Sequence, residues 1–416
     1  MKRRHFLMAA SGLALAGAAG MSAGRWHRPY LLNPCRSTTL PQALAASPWL
    51  ARTWQGLDPA RVWDCHVHIA GIGDGDEGVK VGPKLDSVLH PKLYAQRLFY
   101  MNAGCVAAQP GTVDENYVLR MATQVAEMPV GVKLMLFAFD WFHDERGEVS
   151  VERSTFFVAN DYARRVAAAH PAAFEWVASI HPYRADALDQ LEAAAAQGAR
   201  AVKWLPAAQN IDPASARCDA FYAALARLDL PLISHCGEEK AVQSSQLEPL
   251  GNPLRLRRAM AAGVRVVVAH CATMGEDEDL DQPGRHRPSF ELFARLMGQA
   301  EWKDHLHGDI SAILLRNRRP DVIKTLLVRE DWHGRLLNGS DYPLPGILPL
   351  MSPKTLATAG LLPKAAVPDL ELLREHNPVY FDLALKRALS WQGKSFSPQV
   401  FATRDFFDKG QHELRD

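Results

Sequence analysis

The chain has no CxxC pair, no glycine-rich nucleotide loop after its first strand, almost no net charge and, after residue 23, no apolar run long enough to span a bilayer. Each absence excludes something. Six cysteines (Cys35, Cys65, Cys105, Cys218, Cys236 and Cys271) without zinc-ribbon or framework spacing argue against a structural zinc knuckle or a stapled miniprotein, and read as mostly buried free thiols. With 47 basic and 46 acidic residues giving a net charge of +1, the chain offers nucleic acid no electrostatic footprint. Its most basic short stretch, Leu254-Arg255-Leu256-Arg257-Arg258, fits the solvated face of a helix. The acidic run Glu276-Asp277-Glu278-Asp279 with Asp281 lacks the central glycine and terminal glutamate of a calcium loop, and reads as a solvated loop. No internal repeat or low-complexity tract stands out. What remains is an ordinary globular composition, 48% hydrophobic and 22% charged, on a chain of 416 residues long enough for one large barrel.

The first residues differ in kind from the rest. Lys2-Arg3-Arg4 leads into an uncharged run from Phe6 to Ala23, the grammar of a signal peptide over residues 1–23, with cleavage expected after Ala18 or Ala23. An amphipathic or membrane-spanning helix is the alternative, since the run is near the minimum spanning length and rich in Gly and Ala. Arg3-Arg4-His5-Phe6-Leu7 resembles the twin-arginine export motif. That resemblance implies the twin-arginine machinery as a partner and a periplasmic or exported protein, or a membrane-anchored one if the segment is retained. Export after folding would let buried thiols reach an oxidising compartment unpaired and a metal be loaded beforehand. Residues 24–59, with Pro29, Pro34, Pro41 and Pro48, read as an irregular connector.

From residue 60 onward short apolar runs alternate with Ala-, Leu- and Arg-rich helical stretches, the pattern of a parallel sheet. Strands are expected near Arg61–Ile69, Val130–Phe139, Glu175–His181, Ala199–Leu205, Pro231–His235, Val264–His270, His305–Ile310 and Gly334–Asn338. Eight is the number of a (β/α)8 TIM barrel, an α/β fold, here preceded by the export segment and followed by a C-terminal helical extension. Helices are signalled at Ala185–Gln197, Asp219–Arg227 and Pro253–Ala262. The stretch near 70–130, glycine-rich over Gly71–Gly82, reads as a lid insertion with one or two helices. A doubly wound open sheet is the alternative. Against it, the first strand ends in Asp64-Cys65-His66-Val67-His68 and not in a phosphate loop.

The chemistry gathers at strand ends. On a strand, His66 and His68 point to one face because side chains alternate with period two. Among 16 histidines one such pair is expected by chance, and a second occurs at His305-Leu306-His307. Position separates them: the first pair ends its strand, where barrel active sites are built, and the second begins its strand, on the stability face. His235, His270 and Asp341 also terminate apolar strands. In a barrel these ends share one mouth, so residues far apart in sequence can form a nitrogen and oxygen shell suited to zinc or a similar divalent ion.

Together, His-x-His after strand one, His after strands five and six, and Gly339-Ser340-Asp341-Tyr342-Pro343 after strand eight resemble the amidohydrolase superfamily. Gly198-Ala199-Arg200-Ala201-Val202-Lys203, Pro231–Gly237 and Leu337–Pro343 look most like its amidohydrolase-related branch, which contains hydrolases, lactonases and non-oxidative decarboxylases. The likeness spans Val62 to Pro343, with a tail at Asn377-Pro378-Val379-Tyr380-Phe381.

The resemblance implies His66, His68, His235 and Asp341 as ligands of one or two divalent ions, zinc first and manganese as an alternative. It further implies Asp341 as the base that takes a proton from the attacking water. His270, outside a mononuclear shell, would polarise the substrate carbonyl or pass a proton to the leaving group, or would ligate a second metal. Lys203 occupies the strand end at which some superfamily members, the phosphotriesterases among them, carry a carboxylated lysine that bridges two metals. Unmodified, with an ammonium pKa near 10.4, it would instead bind a substrate carboxylate. Asp140, His143, His181, Trp204 and Glu238 are candidate pocket residues; Glu238 or Glu239 could orient His235, or, equally, both are solvated loop acids. The expected activity is hydrolysis of a small amide, lactone or ester, with non-oxidative decarboxylation or metal binding without catalysis as alternatives.

Overall fold

Eight short apolar segments pair in parallel: β1 (Trp63–His68), β2 (Lys133–Phe137), β3 (Phe174–Val177), β4 (Val202–Trp204), β5 (Leu232–Ser234), β6 (Val266–Val268), β7 (Leu306–Asp309) and β8 (Leu336–Leu337). They come from a computed structural model that describes residues 31–75, 78–106, 113–242 and 246–408; the export segment expected over residues 1–23 lies outside these. Each strand overlaps a segment expected from the sequence, and all but β3, which begins at Phe174, one residue before its segment, fall wholly within it. β1-β2-β3 and β4-β5-β6-β7-β8 form continuous ladders.

Two seams close the ring. Between β3 and β4, the Lys203 amide donates to the Ala178 carbonyl at 2.7 Å. Between β8 and β1, the amides of Cys65, Asp341 and His68 donate to the carbonyls of Asn338, His66 and Tyr342 at 3.0, 2.8 and 3.0 Å. Closure satisfies every edge, and it excludes the open doubly wound sheet.

The alternation of side chains sorts the core into two shells. Trp63, Cys65, Met135, Phe137, Val177, Ala201, Ile233, Val267 and Leu337 form one buried cluster, drawn from every strand but β7, with Ala201 standing just before β4. The inward position of β7 near the floor is His307, whose ring lies 4.4 Å from that of Phe406. Phe406 and Phe407, from the short helix Arg404–Phe407, join the interior cluster and plug the floor. The outward residues, such as Leu134, Leu136, Val202, Trp204, Val266 and Val268, belong to the larger cluster under the helices. The helix Asp219–Arg227 is one of these; it buries Phe221, Tyr222, Ala224 and Leu225 at helical spacing and carries an acid in its first turn and a base in its last.

The connector packs on the C-terminal helices. Ser47 caps the helix Pro48–Thr53, which lies against Pro378–Ala388, and Trp54 Nε1 donates to the Tyr380 hydroxyl at 2.7 Å. The 70–130 insertion contains two helices among its described residues, Pro91–Ala103 and Val113–Ala126. The first reaches the loop after β5, where Gln96 Nε2 and the Tyr100 hydroxyl donate to the Ala241 carbonyl at 2.7 and 3.1 Å. No helix among the described residues is long and apolar enough to cross a membrane.

Two expectations are corrected. Cys35 and Cys105 form a disulfide across a separation of 70 residues, while Cys65, Cys218, Cys236 and Cys271 are the buried free thiols. Such a pairing joins the connector to the end of the helix Pro91–Ala103, a contact no local spacing reveals. The acidic run is not a solvated loop: Glu276–Glu278 pairs antiparallel with His286–Pro288, and Asp279 is buried. Arg295 Nη1 and Arg287 Nε donate to the Asp279 carboxylate at 2.7 and 3.0 Å, which compensates its burial.

Candidate metal centre

β1 carries its two histidines past a bulge. Asp64 and Val67 face Leu134 and Leu136, so three residues of β1 span two of β2. The extra residue lets Cys65 pack in the interior cluster while His66 and His68 both face the mouth. His66 Nδ1 lies 2.9 Å from Asp309 Oδ2, leaving Nε2 buried with no hydrogen-bond partner.

His270 begins a backbone excursion after β6. His270, Cys271 and Ala272 have φ of 55, 49 and 49°, a left-handed run that costs on the order of 1–3 kcal/mol per residue. Asp309, at the end of β7, offsets part of that cost: its Oδ1 accepts from the amides of His270 and Ser311 at 2.9 and 3.0 Å. The Ser311 hydroxyl then sits 2.8 Å from His270 Nδ1, which turns Nε2 toward the mouth. His235, directly after β5, places Nδ1 3.3 Å from Glu239 Oε2, and its Nε2 is likewise buried and unpartnered. Glu239 thus takes the orienting role expected of Glu238 or Glu239, while Glu238 pairs with Lys240.

Asp341 arrives from β8 in a left-handed conformation, φ 61°. Its carboxylate lies 3.1 Å from His68 Nε2, 3.5 Å from His66 Nε2 and 3.9 Å from His270 Nε2. The approach needs Gly339, because a Cβ there would stand 2.6 Å from the His66 Cβ. The turn is pinned from beneath: the Ser340 amide donates to Asp64 Oδ1 at 2.8 Å, and Lys386 Nζ donates to the Gly339 carbonyl at 2.6 Å and to Asp382 at 2.5 Å. Asp64, Asp382 and Lys386 are all buried.

Ligand atoms of His66, His270 and Asp341 lie within 4.8 Å of one another, the size of a cation site. His270, expected outside a mononuclear shell, therefore stands inside the tightest cluster. His68 joins it through Asp341. His235 is not one of the three, though its ring lies 5.2 Å from that of His270.

The electrostatics suit a cation. Burial, and after it the charge of Lys203, pushes the His66 and His235 imidazoles down to about 3; burial alone accounts for most of the same shift at His270. All three are therefore neutral with lone pairs available, the form that binds metal. Burial raises the Asp341 carboxyl, but its coupling to His270, the hydrogen bond from His68 and its coupling to His66 outweigh that and hold it well below the usual carboxylate range. Two buried imidazole nitrogens without partners beside an ionised carboxylate fit a divalent ion, which would supply the bond each lacks.

Lys203 lies on the inner face of β4, buried, with Nζ unpartnered and 5.2 Å from the Phe137 ring. Burial lowers its pKa. Trp204, one residue on, points outward: its Nε1 donates to the Ile180 carbonyl at 2.9 Å and its ring packs near Phe221, so it does not shape the pocket. Asp140, His143 and His181 form a buried structural cluster. His181 Nε2 lies 2.9 Å from the Gln209 carbonyl, Asp140 accepts from the His181 amide and from Arg184, and the two imidazole rings sit 4.4 Å apart.

Sequence reasoning missed Asp309, Ser311 and Arg318. The first had a signal, a carboxylate at the end of an expected strand; the rule that found Asp341 applies to it equally.

A closed parallel barrel whose mouth gathers buried imidazoles and a carboxylate defines a metal-dependent barrel enzyme. The chain belongs to the amidohydrolase family in its amidohydrolase-related branch, whose family model, described as Amidohydrolase, matches residues 63–369. No curated protein matches the sequence. Among solved structures, an uncharacterized TIM-barrel protein from Bordetella bronchiseptica is 16% identical, covering 68% of this chain and 86% of its own, with a TM-score of 0.43. A putative 2-pyrone-4,6-dicarboxylic acid hydrolase from Pseudomonas putida is 16% identical over 83% and 97% of the two chains, with a TM-score of 0.42. A 5-carboxyvanillate decarboxylase from Novosphingobium aromaticivorans, complexed with manganese, is 11% identical over 85% and 98%, with a TM-score of 0.45.

Proposed function

We propose that the protein is a metal-dependent hydrolase of a small carbonyl substrate, an amide, lactone or ester. The observation that carries this reading is the buried cluster of His66, His270 and Asp341, flanked by His68 and His235, with the His66 and His235 Nε2 atoms lacking a hydrogen-bond partner. A bound divalent ion supplies Lewis-acid polarisation and a more acidic water. We assign its coordination to His66, His68, His235 and Asp341, with His270 sharing the sphere. Imidazole and carboxylate donors suit zinc, with manganese the alternative. Asp341, ionised and on the site, accepts the proton of the attacking water; Asp309 and Glu239 hold the His66 and His235 rings so that Nε2 faces inward.

Non-oxidative decarboxylation is the second reading, favoured by one observation: Lys203 Nζ is a buried amine with no hydrogen-bond partner, suited in its protonated form to a substrate carboxylate. Turnover assays of metal-loaded protein against panels of lactones, amides and aromatic carboxylic acids separate the readings. Turnover of a lactone or amide that is lost on chelation supports hydrolysis, carbon dioxide release from an aromatic acid supports decarboxylation, and inertness toward all three leaves a binding protein. We further propose twin-arginine export, supported by the Cys35–Cys105 disulfide, which an oxidising compartment favours. Replacing Arg3-Arg4 with Lys-Lys should hold the protein in the cytoplasm, and an unaltered periplasmic yield would reject this route.

A further inference from the structure

Arg318 stands out among the arginines. Its Nε is enclosed without a hydrogen-bond partner. Arg97, Arg120, Arg164 and Arg374 also have an enclosed, unbonded Nε, but each holds a partner through another nitrogen: Asp86, the His376 carbonyl, Asp161 and the Met351 carbonyl. Its neighbour Arg319 is paired with Asp321. Among the described residues no carboxylate lies within ion-pair distance of Arg318. A half-buried guanidinium left so carries an unmet desolvation cost.

Its place is the rim of the metal site. The loop that carries it leaves β7 at Asp309 and Ser311, which hold His66 and His270. Beside it, Asn317 Nδ2 contacts Met274 Sδ, and the Met274 carbonyl accepts from the Glu238 amide, so the loops after β5, β6 and β7 meet here. The guanidinium interacts electrostatically with Asp341, Glu239 and Glu238 and depresses His235 and His270 in turn.

The charges of the mouth point the same way. A divalent ion with Lys203 and Arg318 outweighs Asp341, Asp309 and Glu239, while Glu238 is offset by its pairing with Lys240. Two ions bridged by a carboxylated Lys203 leave the same surplus. In either state the site is cationic toward what enters it.

We propose that Arg318 is a substrate-binding residue that selects a carboxylic acid, pairing with a carboxylate remote from the reacting carbonyl; the substrate half of this assignment rests on the reading of the site as a hydrolase. A guanidinium offers a carboxylate two parallel N–H donors, and one unpaired arginine matches one carboxylate better than a phosphate dianion.

The test is calorimetric titration of the metal-loaded full chain with malonate, succinate, glutarate, adipate and isophthalate, each against its monomethyl ester. At least one diacid should bind tenfold or more tightly than its half ester. Arg318→Gln, with unchanged circular dichroism and metal content, should lose that preference, and Arg318→Lys should recover part of it. Absence of any preference in the wild type, or its survival in Arg318→Gln, overturns the proposal. Phenyl phosphate binding through Arg318 more tightly than every diacid overturns the carboxylate assignment. Failure of the metal reading would appear separately, as protein without bound ion by elemental analysis.

Discussion

The chain carries His-x-His twice, and the two copies sit at opposite ends of one barrel. His66 and His68 close β1 at the mouth; His305 and His307 open β7 at the floor. Both pairs have the spacing that turns two rings to one face, so spacing does not distinguish them. Surroundings do. At the mouth, the loops after β5 and β8 and the end of β7 bring Glu239, Asp341 and Asp309 to the imidazoles. At the floor, the His307 ring meets Phe406, and no metal-sized cluster of His, Cys, Asp or Glu includes either histidine among the described residues. A parallel barrel sends its variable loops to one end only, so the same motif becomes a metal site there and packing at the other end.

The sharpest way to break this contrast is at Asp341. Asp341→Asn keeps the size of the side chain and removes the charge that accepts a proton. Turnover should fall by roughly 10²–10⁴ with substrate affinity little changed, and the fall should persist at higher pH. Near-normal turnover in a metal-replete variant would move proton transfer to His270 or Lys203.

At the floor the effect should be on stability alone. Phe406→Ala removes a buried ring from the plug and should cost about 3 kcal/mol, read by urea denaturation, with metal content unchanged. A loss of metal in the folded variant would mean that the two ends are coupled.

Asp309 tests the mouth from behind. Asp309→Asn weakens its hold on the His66 ring and on the His270 backbone, and metal affinity should drop about 10–100-fold. An unchanged affinity, measured by chelator competition, would deny Asp309 its orienting role.

The smallest effect is expected outside the metal site, at Asp279 in the hairpin that follows β6. Arg295, acting against the cost of desolvation, and Arg287 hold this carboxyl well below its ordinary value of 3.8. A folded pKa below the unfolded one gives stability that is present above pH 3.8 and is lost as pH falls toward the folded value. Asp279→Asn should therefore lose about 2 kcal/mol at pH 6 and show a shallower further loss between pH 4 and pH 3 than the wild type. Parallel acid profiles for the two proteins would contradict this.

Legibility follows the range of the interactions. The strands were readable because a parallel strand buries both faces, so Val266–Val268 is apolar throughout, and because several of the runs end in a polar residue at the mouth. His66, His68, His270 and Asp341 were readable by that rule. The bulge in β1, the left-handed run at His270 and the buried Lys386–Asp382 pair beneath Gly339 depend on backbone geometry and distant partners, which no local pattern encodes. The Cys35–Cys105 bridge and the burial of Asp279 were misread for the same reason. Trp204 was misplaced although alternation was available: with Lys203 inward, its neighbour on the strand must face the helices.

The central claim is that the metal belongs to the mouth pair and not to the floor pair. It is tested most directly by elemental analysis of two double variants purified side by side, His66→Ala with His68→Ala and His305→Ala with His307→Ala. The first should lose its divalent ion and remain folded by circular dichroism, and the second should retain a full equivalent. Metal retained by the first, or lost from a folded second, would contradict the account.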